Sequence, residues 1–263
     1  MINIPFYKCN GNGNSFIIIN CNNSVKNKFD KVKISDICRK IEKNVIDGLI
    51  LIDLDNNNYA MDYYNNDGSW ETLCLNGLRC CSLIIYKKFN DKCFSIKSNN
   101  IEYKIKIINK ESVEISLKEP IYKLKDITVK DYKGSFINSG AKHFVVHYKR
   151  EWPNKTQLEK IFQSIRYDNL TFPDGINVNF YKIINNSTIE VKTYEKGIES
   201  IMKSCASGSY AAAYDYVKNN KDASNKIKVL NDGGTAQIIF NSNFKENMIR
   251  SKAMIEYSGE ITI

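Results

Sequence analysis

Metal-ligand pairs of the C-x-x-C kind are missing from this chain. Its only histidines, His143 and His147, fall in the strand-like "KHFVVHY" with no cysteine nearby, and none of its eight cysteines forms a C-x-x-C pair. Structural zinc takes its ligands in such close pairs, so no metal site is expected. No apolar run approaches membrane-spanning length, and "MINIPFYKCNGNG" lacks the basic-then-apolar pattern of a secretion signal. The expectation is a soluble, cytoplasmic protein with no membrane partner, its cysteines reduced thiols rather than a disulfide framework. Long basic runs are absent as well. The 38 Lys and Arg against 29 Asp and Glu give a net charge of +9, yet the lysines are scattered and no basic run exceeds three residues. This reads as a solvated basic surface rather than a nucleic-acid footprint, compatible with steering of small anions.

What the chain does have is strand. With 263 residues and 43% hydrophobic content it can bury a sizeable core, and two domains are expected. The stretches "SFIIIN", "LILID", "YAMDYY", "CFSIKS", "IEYKIKII" and "SVEISL", and later "HFVVHY", "VNFYKII", "TIEVKTY", "KIKVL", "AQIIF" and "MIEYSGEITI", are short and rich in Ile, Val, Tyr and Phe. Asn-Asn, Asp-Gly and Asn-Gly turns punctuate them, which predicts mostly antiparallel β structure. Helices are few. "SDICRKIEK" sets Ile34, Ile37, Cys38 and Ile41 on one helical face, and "TQLEKIFQSIR" does the same with Leu158, Ile161, Phe162 and Ile165, with Thr156 and Glu159 reading as a capping box. Two further segments, "TLCLNGLRCCSLIIYKK" and "KSCASGSYAAAYDYVKN", are apolar nearly all round and predict central rather than superficial helices.

These two segments share a pattern: a cysteine stands three residues before a glycine that leads into the helix. Cys74 and Cys205 are 131 residues apart, as are Gly77 and Gly208; Asp47-Gly48 and Asp174-Gly175 are 127 apart, and "GNGNSFIII" has a looser counterpart in "NSGAKHFVV". Half-chain offsets of this kind predict two homologous-looking α+β domains, each a curved antiparallel sheet or barrel around a central helix, related by a pseudo-two-fold axis. The expected boundaries are 1–118, carrying Cys74 and completed by the last strand 254–263, and 119–253, carrying Cys205.

A helix N-terminus presents unpaired backbone N–H groups and a partial positive charge, so it binds carboxylates and favours thiolate over thiol. An unperturbed cysteine, with a pKa of about 8.5, is only a few per cent thiolate at neutral pH, and such a position lowers it. Asn76-Gly77 and Ser207-Gly208 are small enough to let a carboxylate approach the amides. Two such mouths facing one carbon, one sulfur ionised and the other protonated, are what the inversion of an amino-acid α-carbon needs without a cofactor. Cys80 and Cys81, inside the first helix, read as packing residues, and Cys9, Cys21, Cys38 and Cys93 carry no evident chemistry.

At this point the chain resembles the diaminopimelate epimerase family along most of its length. "GNGNSF" is similar to the family's Gly-x-Gly-Asn-Asp-Phe, "NNDGSWETLCLNGLRC" to its Asn-x-Asp-Gly-Ser…Cys-Gly-Asn-Gly-x-Arg-Cys, and "YEKGIESIMKSCASGS" to its Tyr-Glu-Arg-Gly…Cys-Gly-[Ser/Thr]-Gly. "INVNF" and "SGAKHF" are weaker matches. The resemblance implies a two-domain fold, cofactor-independent two-base chemistry and often a homodimer. It implies that Cys74 and Cys205 are the catalytic acid and base, and that Asn76-Gly77 and Ser207-Gly208 hold the reacting carboxylate, beside Leu75 and Ala206. Asn14, Asn65, Asn177 and Glu195 match substrate-contacting positions, and Lys196 stands where an arginine grips the distal carboxylate. Arg79 and His143 also match family positions and read as structural.

The departures concern the substrate. Leu75 and Ala206 replace the glycine after each cysteine, Ser15 replaces an aspartate, Ala141 stands near a substrate asparagine, and Lys196 replaces arginine. Arginine grips a carboxylate with a planar fork, whereas lysine offers a point charge on a flexible stem. Diaminopimelate or a close bis-amino-acid is the expected substrate. The alternatives are racemisation of another amino acid such as histidine, an isomerase of the related two-domain type without paired cysteines, against which both cysteines argue, and a non-catalytic small-molecule binding protein.

Overall fold

The computed structural model describes residues 3–21, 26–42, 46–55 and 58–262; Ile263, the last residue of the expected final strand, lies outside them. The chain divides into two compact units, Met1–Ser116 with Arg250–Ile263, and Leu117–Ile249. The first unit runs β1 (Asn3–Gly11), β2 (Asn14–Asn20), α1 (Lys31–Ile41), β3 (Gly48–Asp53), β4 (Tyr59–Asn65), β5 (Trp70–Glu71), α2 (Leu75–Phe89), β6 (Cys93–Ser98), β7 (Ile101–Asn109) and β8 (Ser112–Leu117). The second runs β9 (Ile121–Val129), β10 (Tyr132–Asn138), β11 (Lys142–His147), α3 (Lys155–Arg166), β12 (Asn177–Asn185), β13 (Thr188–Glu195), β14 (Ser200–Met202), α4 (Ala206–Asn219), β15 (Lys226–Asn231) and β16 (Gly234–Ile239). β17 (Asn247–Lys252) carries the chain back, and β18 (Met254–Thr262) pairs antiparallel with β1.

One plan is used twice. In the first unit β1–β2 is antiparallel, β2–β3 parallel across α1, β3–β4 antiparallel, and β4–β6 parallel across α2. In the second, β10–β11, β11–β12, β12–β13 and β13–β15 repeat that sequence, with α3 and α4 in the two crossovers. Both units are thus α+β with mostly antiparallel ladders, and a parallel pairing appears wherever a helix separates the strands, because only a crossover can return the chain in the same direction.

The helix faces follow the apolar periodicity. α1 buries Ile34, Ile37 and Cys38, and α3 buries Leu158, Phe162 and Ile165, each facing one apolar cluster of its own unit. α2 is buried continuously from Leu75 to Ile85, and α4 from Gly208 to Tyr216, so both are central. Two sequence expectations are corrected. α3 is capped by Asn154, whose side chain accepts from the Gln157 amide, so Thr156 lies inside the first turn and closes no capping box. Gly48 starts β3, whereas Gly175 sits in the turn before β12 with φ +66°, so the two Asp-Gly pairs do not occupy matching positions. Among the described residues no helix is long and apolar enough to cross a membrane.

Candidate active site

Each central helix begins on a cysteine. Cys74 is the N-cap of α2, with φ −132° and ψ 98°, and its sulfur accepts from the Gly77 amide at 3.4 Å. Cys205 is the N-cap of α4, with φ −127° and ψ 112°, and its sulfur accepts from the Gly208 amide, also at 3.4 Å. Ser, Thr, Asp and Asn are the residues that cap well, and a thiol is a weak acceptor. Placing cysteine there twice gives up capping strength and sets a sulfur beside the first amides of the helix, at the positive end of its dipole.

In the first unit the motif "GNGNSF" supports its mouth through a hairpin. Asn12 and Gly13 turn between β1 and β2 at φ +57° and +90°, the left-handed pair that a two-residue type I′ turn requires. Gly11 has no side chain because a Cβ there would lie 2.7 Å from the Asn76 carbonyl oxygen. The turn delivers Asn14 to the helix start, where its Oδ1 accepts from Asn76 Nδ2, while Asn76 Oδ1 accepts from Arg79 Nη2. Asp47 closes the chain: its Oδ2 accepts from the Ser15 amide at 2.7 Å and from Asn14 Nδ2 at 3.4 Å. Arg79 is fully buried, and burial pushes its guanidinium down to about 10.

In the second unit three adjacent strands support the mouth. His143 on β11 holds Asn179 Oδ1 with Nδ1 at 2.7 Å and meets Ser207 Oγ with Nε2 at 3.1 Å. Asn179 on β12 stands opposite Thr193 on β13 and donates to its Oγ1 at 2.6 Å. Ser139 donates to the Ser207 carbonyl at 2.8 Å, and Ser207 Oγ lies 3.5 Å from the Cys205 sulfur. A Cβ on Gly208 would collide with Asn179 Nδ2. His143 is fully buried, which pushes its pKa down to about 4.

The structure therefore brings together Cys74, Asn76, Gly77 and Asn14 at one mouth, and Cys205, Ser207 and Gly208 at the other. Leu75 and Ala206, the first helical residues, are buried. Asn65 is buried at the end of β4, where it donates to Ser69 Oγ and accepts from Tyr63 Oη. Asn177 ties the ends of β11 and β13, donating to the Lys142 carbonyl and accepting from the Lys196 amide at 2.8 Å. Glu195 ends β13 and the Lys196 side chain is exposed. The sequence reading missed Asp47, Ser139, Asn179 and Thr193 and took Arg79 and His143 as structural. One signal was present: Asn179 is two residues from Asn177 on the same strand and so shares its face. Burial raises four further thiols: Cys38 is pushed up to about 12, Cys21 to about 11, and Cys80 and Cys81 well above the usual range. Among the described residues no three potential metal ligands cluster.

No protein-family model matches the chain. It is 30% identical to the diaminopimelate epimerase of Hydrogenobaculum sp. (strain Y04AAS1) over 244 residues, covering 86% of this chain and 87% of that protein. The chain belongs to the diaminopimelate epimerase family. It is also 30% identical to the diaminopimelate epimerase of Aquifex aeolicus over 276 residues, 98% of each. The structure of a probable proline racemase from Agrobacterium radiobacter K84 superposes with a TM-score of 0.74 at 10% identity, over 99% of this chain and 93% of that one. That likeness is one of fold. Family membership makes the chain an isomerase of the racemase and epimerase type, against the alternative of a binding protein.

Proposed function

We propose that the chain inverts the α-carbon of an amino acid by two-base proton transfer without a cofactor, Cys74 and Cys205 serving as base and acid, with diaminopimelate as substrate. The observation that carries this reading is the matched capping geometry, the same residue type at the same helical position with the same sulfur-to-amide distance in both units. In this reading 1–118 with 254–263 forms one half and 119–253 the other, and each contributes one sulfur to a single α-carbon. The amides of Asn76-Gly77 and Ser207-Gly208 hold the α-carboxylate, and the helix dipoles stabilise the charge that spreads onto it as the proton leaves. Asn14, Asn65, Asn177, Glu195 and Lys196 contact the rest of the substrate. A cytoplasmic homodimer belongs to the same reading.

A second reading is racemisation of another amino acid such as histidine. It is favoured by Lys196, an exposed ammonium where a guanidinium fork would grip a distal carboxylate. One experiment separates the two. The reduced protein is incubated in D2O with L,L-diaminopimelate or single L-amino acids, without added cofactor, and deuterium at Cα is followed together with chirality. Exchange and inversion of diaminopimelate alone support the first reading, and of another amino acid the second. Absence of both with every substrate overturns the proposal.

A further inference from the structure

The second unit holds a groove that the candidate active site does not use. Its volume is about 350 Å³, and it lies where the start of α3, the middle of β13, the end of β14 and the β15–β16 turn meet. We propose that this groove is a binding site for a small organic anion, a carboxylate or phosphate carried on an aromatic or alkyl body, separate from the site at Cys205.

The separation follows from strand alternation. Thr193 on β13 turns toward Asn179 and Gly208, so Glu190 and Lys192 on the same strand point to the opposite face of the sheet. That is the face α3 covers: Leu158 of α3 and Ile201 of β14 line the groove and belong to the apolar cluster beneath that helix. Neither Cys205 nor Ser207, His143 or Asn179 lines it. The wall is set in advance. The Trp152 indole N–H donates to Glu190 Oε2 at 2.7 Å, its ring stacks on Tyr148 with centroids 5.1 Å apart, and the ammonium groups of Lys182 and Lys192 stand 5.0 and 5.5 Å from its centroid. Lys192 is held in turn by both carboxylate oxygens of Asp232, at 3.0 and 3.3 Å. A wall fixed in this way has little freedom left to lose when a ligand arrives.

What the groove leaves over is positive charge. Lys192 and Asp232 offset each other across it. Lys155, the first residue of α3, and Lys203, the residue after β14, also line it, and neither forms a salt bridge among the described residues. Two uncompensated ammonium groups over a floor of Leu158, Ile201 and Met202 match an anionic head on an apolar body. An inorganic anion would leave the floor wet, and a neutral or cationic molecule would leave both ammonium groups without a counter-charge. The volume falls at the lower end of the range that small-molecule sites occupy, so the body is no larger than one ring with a short tail.

The test titrates 4-phenylbutyrate into the full chain and follows three NMR signals, the Trp152 indole N–H, identified by its survival in W70F, and the methyl groups of Ile201 and Met202. All three are expected to shift together and saturate with a dissociation constant of about 1 mM, the strength that a ligand of about twelve heavy atoms can supply. Inorganic phosphate, 4-phenylbutanol and 4-phenylbutylamine should each bind at least about tenfold more weakly, because each lacks the body or the charge. K155E/K203E, which changes two exposed side chains, should weaken 4-phenylbutyrate at least about tenfold in a protein whose spectrum is otherwise that of the folded wild type. C205S should bind it as the wild type does. Failure of the three signals to saturate, equal binding of the alcohol or the amine, shifts confined to the amides of Cys205 and Gly208, or an affinity unmoved in K155E/K203E would each overturn the assignment. The groove does not depend on the two-base reading: loss of α-proton exchange would leave this titration unchanged, and a failed titration would leave the proton transfer standing.

Discussion

At the mouth of α2 the capping sulfur has a buried guanidinium on the same helix for company; at the mouth of α4 it has a hydroxyl backed by a neutral, buried imidazole. The backbone device is the same in both, down to the 3.4 Å contact with the third helical amide. The lesson is a division of labour. The repeated scaffold gives two sulfurs the same position at a helix start, and the side chains behind them differ between the repeats. A helix start tolerates this because its amides satisfy a thiolate and its first turn admits almost any side chain, whereas the interior of α2 holds Cys80 and Cys81 inert through burial alone.

The comparison breaks first if the cysteines are unequal in necessity. C74S and C205S should each lower racemisation at least about a hundredfold, the range of a general acid or base, while thermal unfolding shows no loss of stability because serine caps better than cysteine. Near-normal turnover in either variant would remove that sulfur from the chemistry. Acid should next separate the units. Folded His143 resists protonation down to about 4, whereas in the unfolded chain it takes a proton near 6.5, so the unfolded state binds more protons between those values and stability falls as pH drops through that window. The share owed to His143 is of the order of 3 kcal/mol. Urea unfolding of the wild type and H143N at the two ends of the window should show it, and parallel slopes for the two proteins would contradict a neutral buried ring.

The glycines sharpen the comparison at smaller scale. In G208A the new methyl meets the Asn179 amide, which is locked between His143 and Thr193, while in G77A it meets Ile50 Cδ1, the far end of a flexible side chain. G208A should destabilise by about 2 kcal/mol and G77A by less than about 1 kcal/mol; equal losses would mean that the second network yields as easily as an isoleucine tip. The smallest effect belongs to Lys196, which is exposed. K196A should raise KM for diaminopimelate no more than about fivefold, as fits a solvent-screened pair, with kcat retained. A large fall in kcat would place Lys196 nearer the reacting carbon than its exposure suggests.

Much of this was legible in the sequence for physical reasons. Strand alternation and helical periodicity are local, so "SFIIIN", "LILID" and the faces of α1 and α3 could be read directly, and the cysteine-to-glycine spacing that marks both helix mouths lies within one turn. What failed was the choice between equivalent local signals. Asn154 caps as well as Thr156 would, and only the fold decides which comes first. What stayed hidden was tertiary: Asp47 reaches Ser15 and Asn14 from a different strand entrance, and the path from Thr193 to Ser207 crosses three strands and a helix, so no spacing rule connects its members. Arg79 and His143 read as structural in the sequence, and both side chains are fully buried.

The most direct measurement of the central claim is a single-turnover reaction of L,L-diaminopimelate with the reduced enzyme in D2O, in which the remaining substrate and the inverted product are separated and their α-deuterium content compared. Two-base transfer between Cys74 and Cys205 predicts deuterium in the inverted product and protium retained in the substrate. Equal deuterium in both during the first turnover would contradict it, because a single base would then be serving both faces of the carbon.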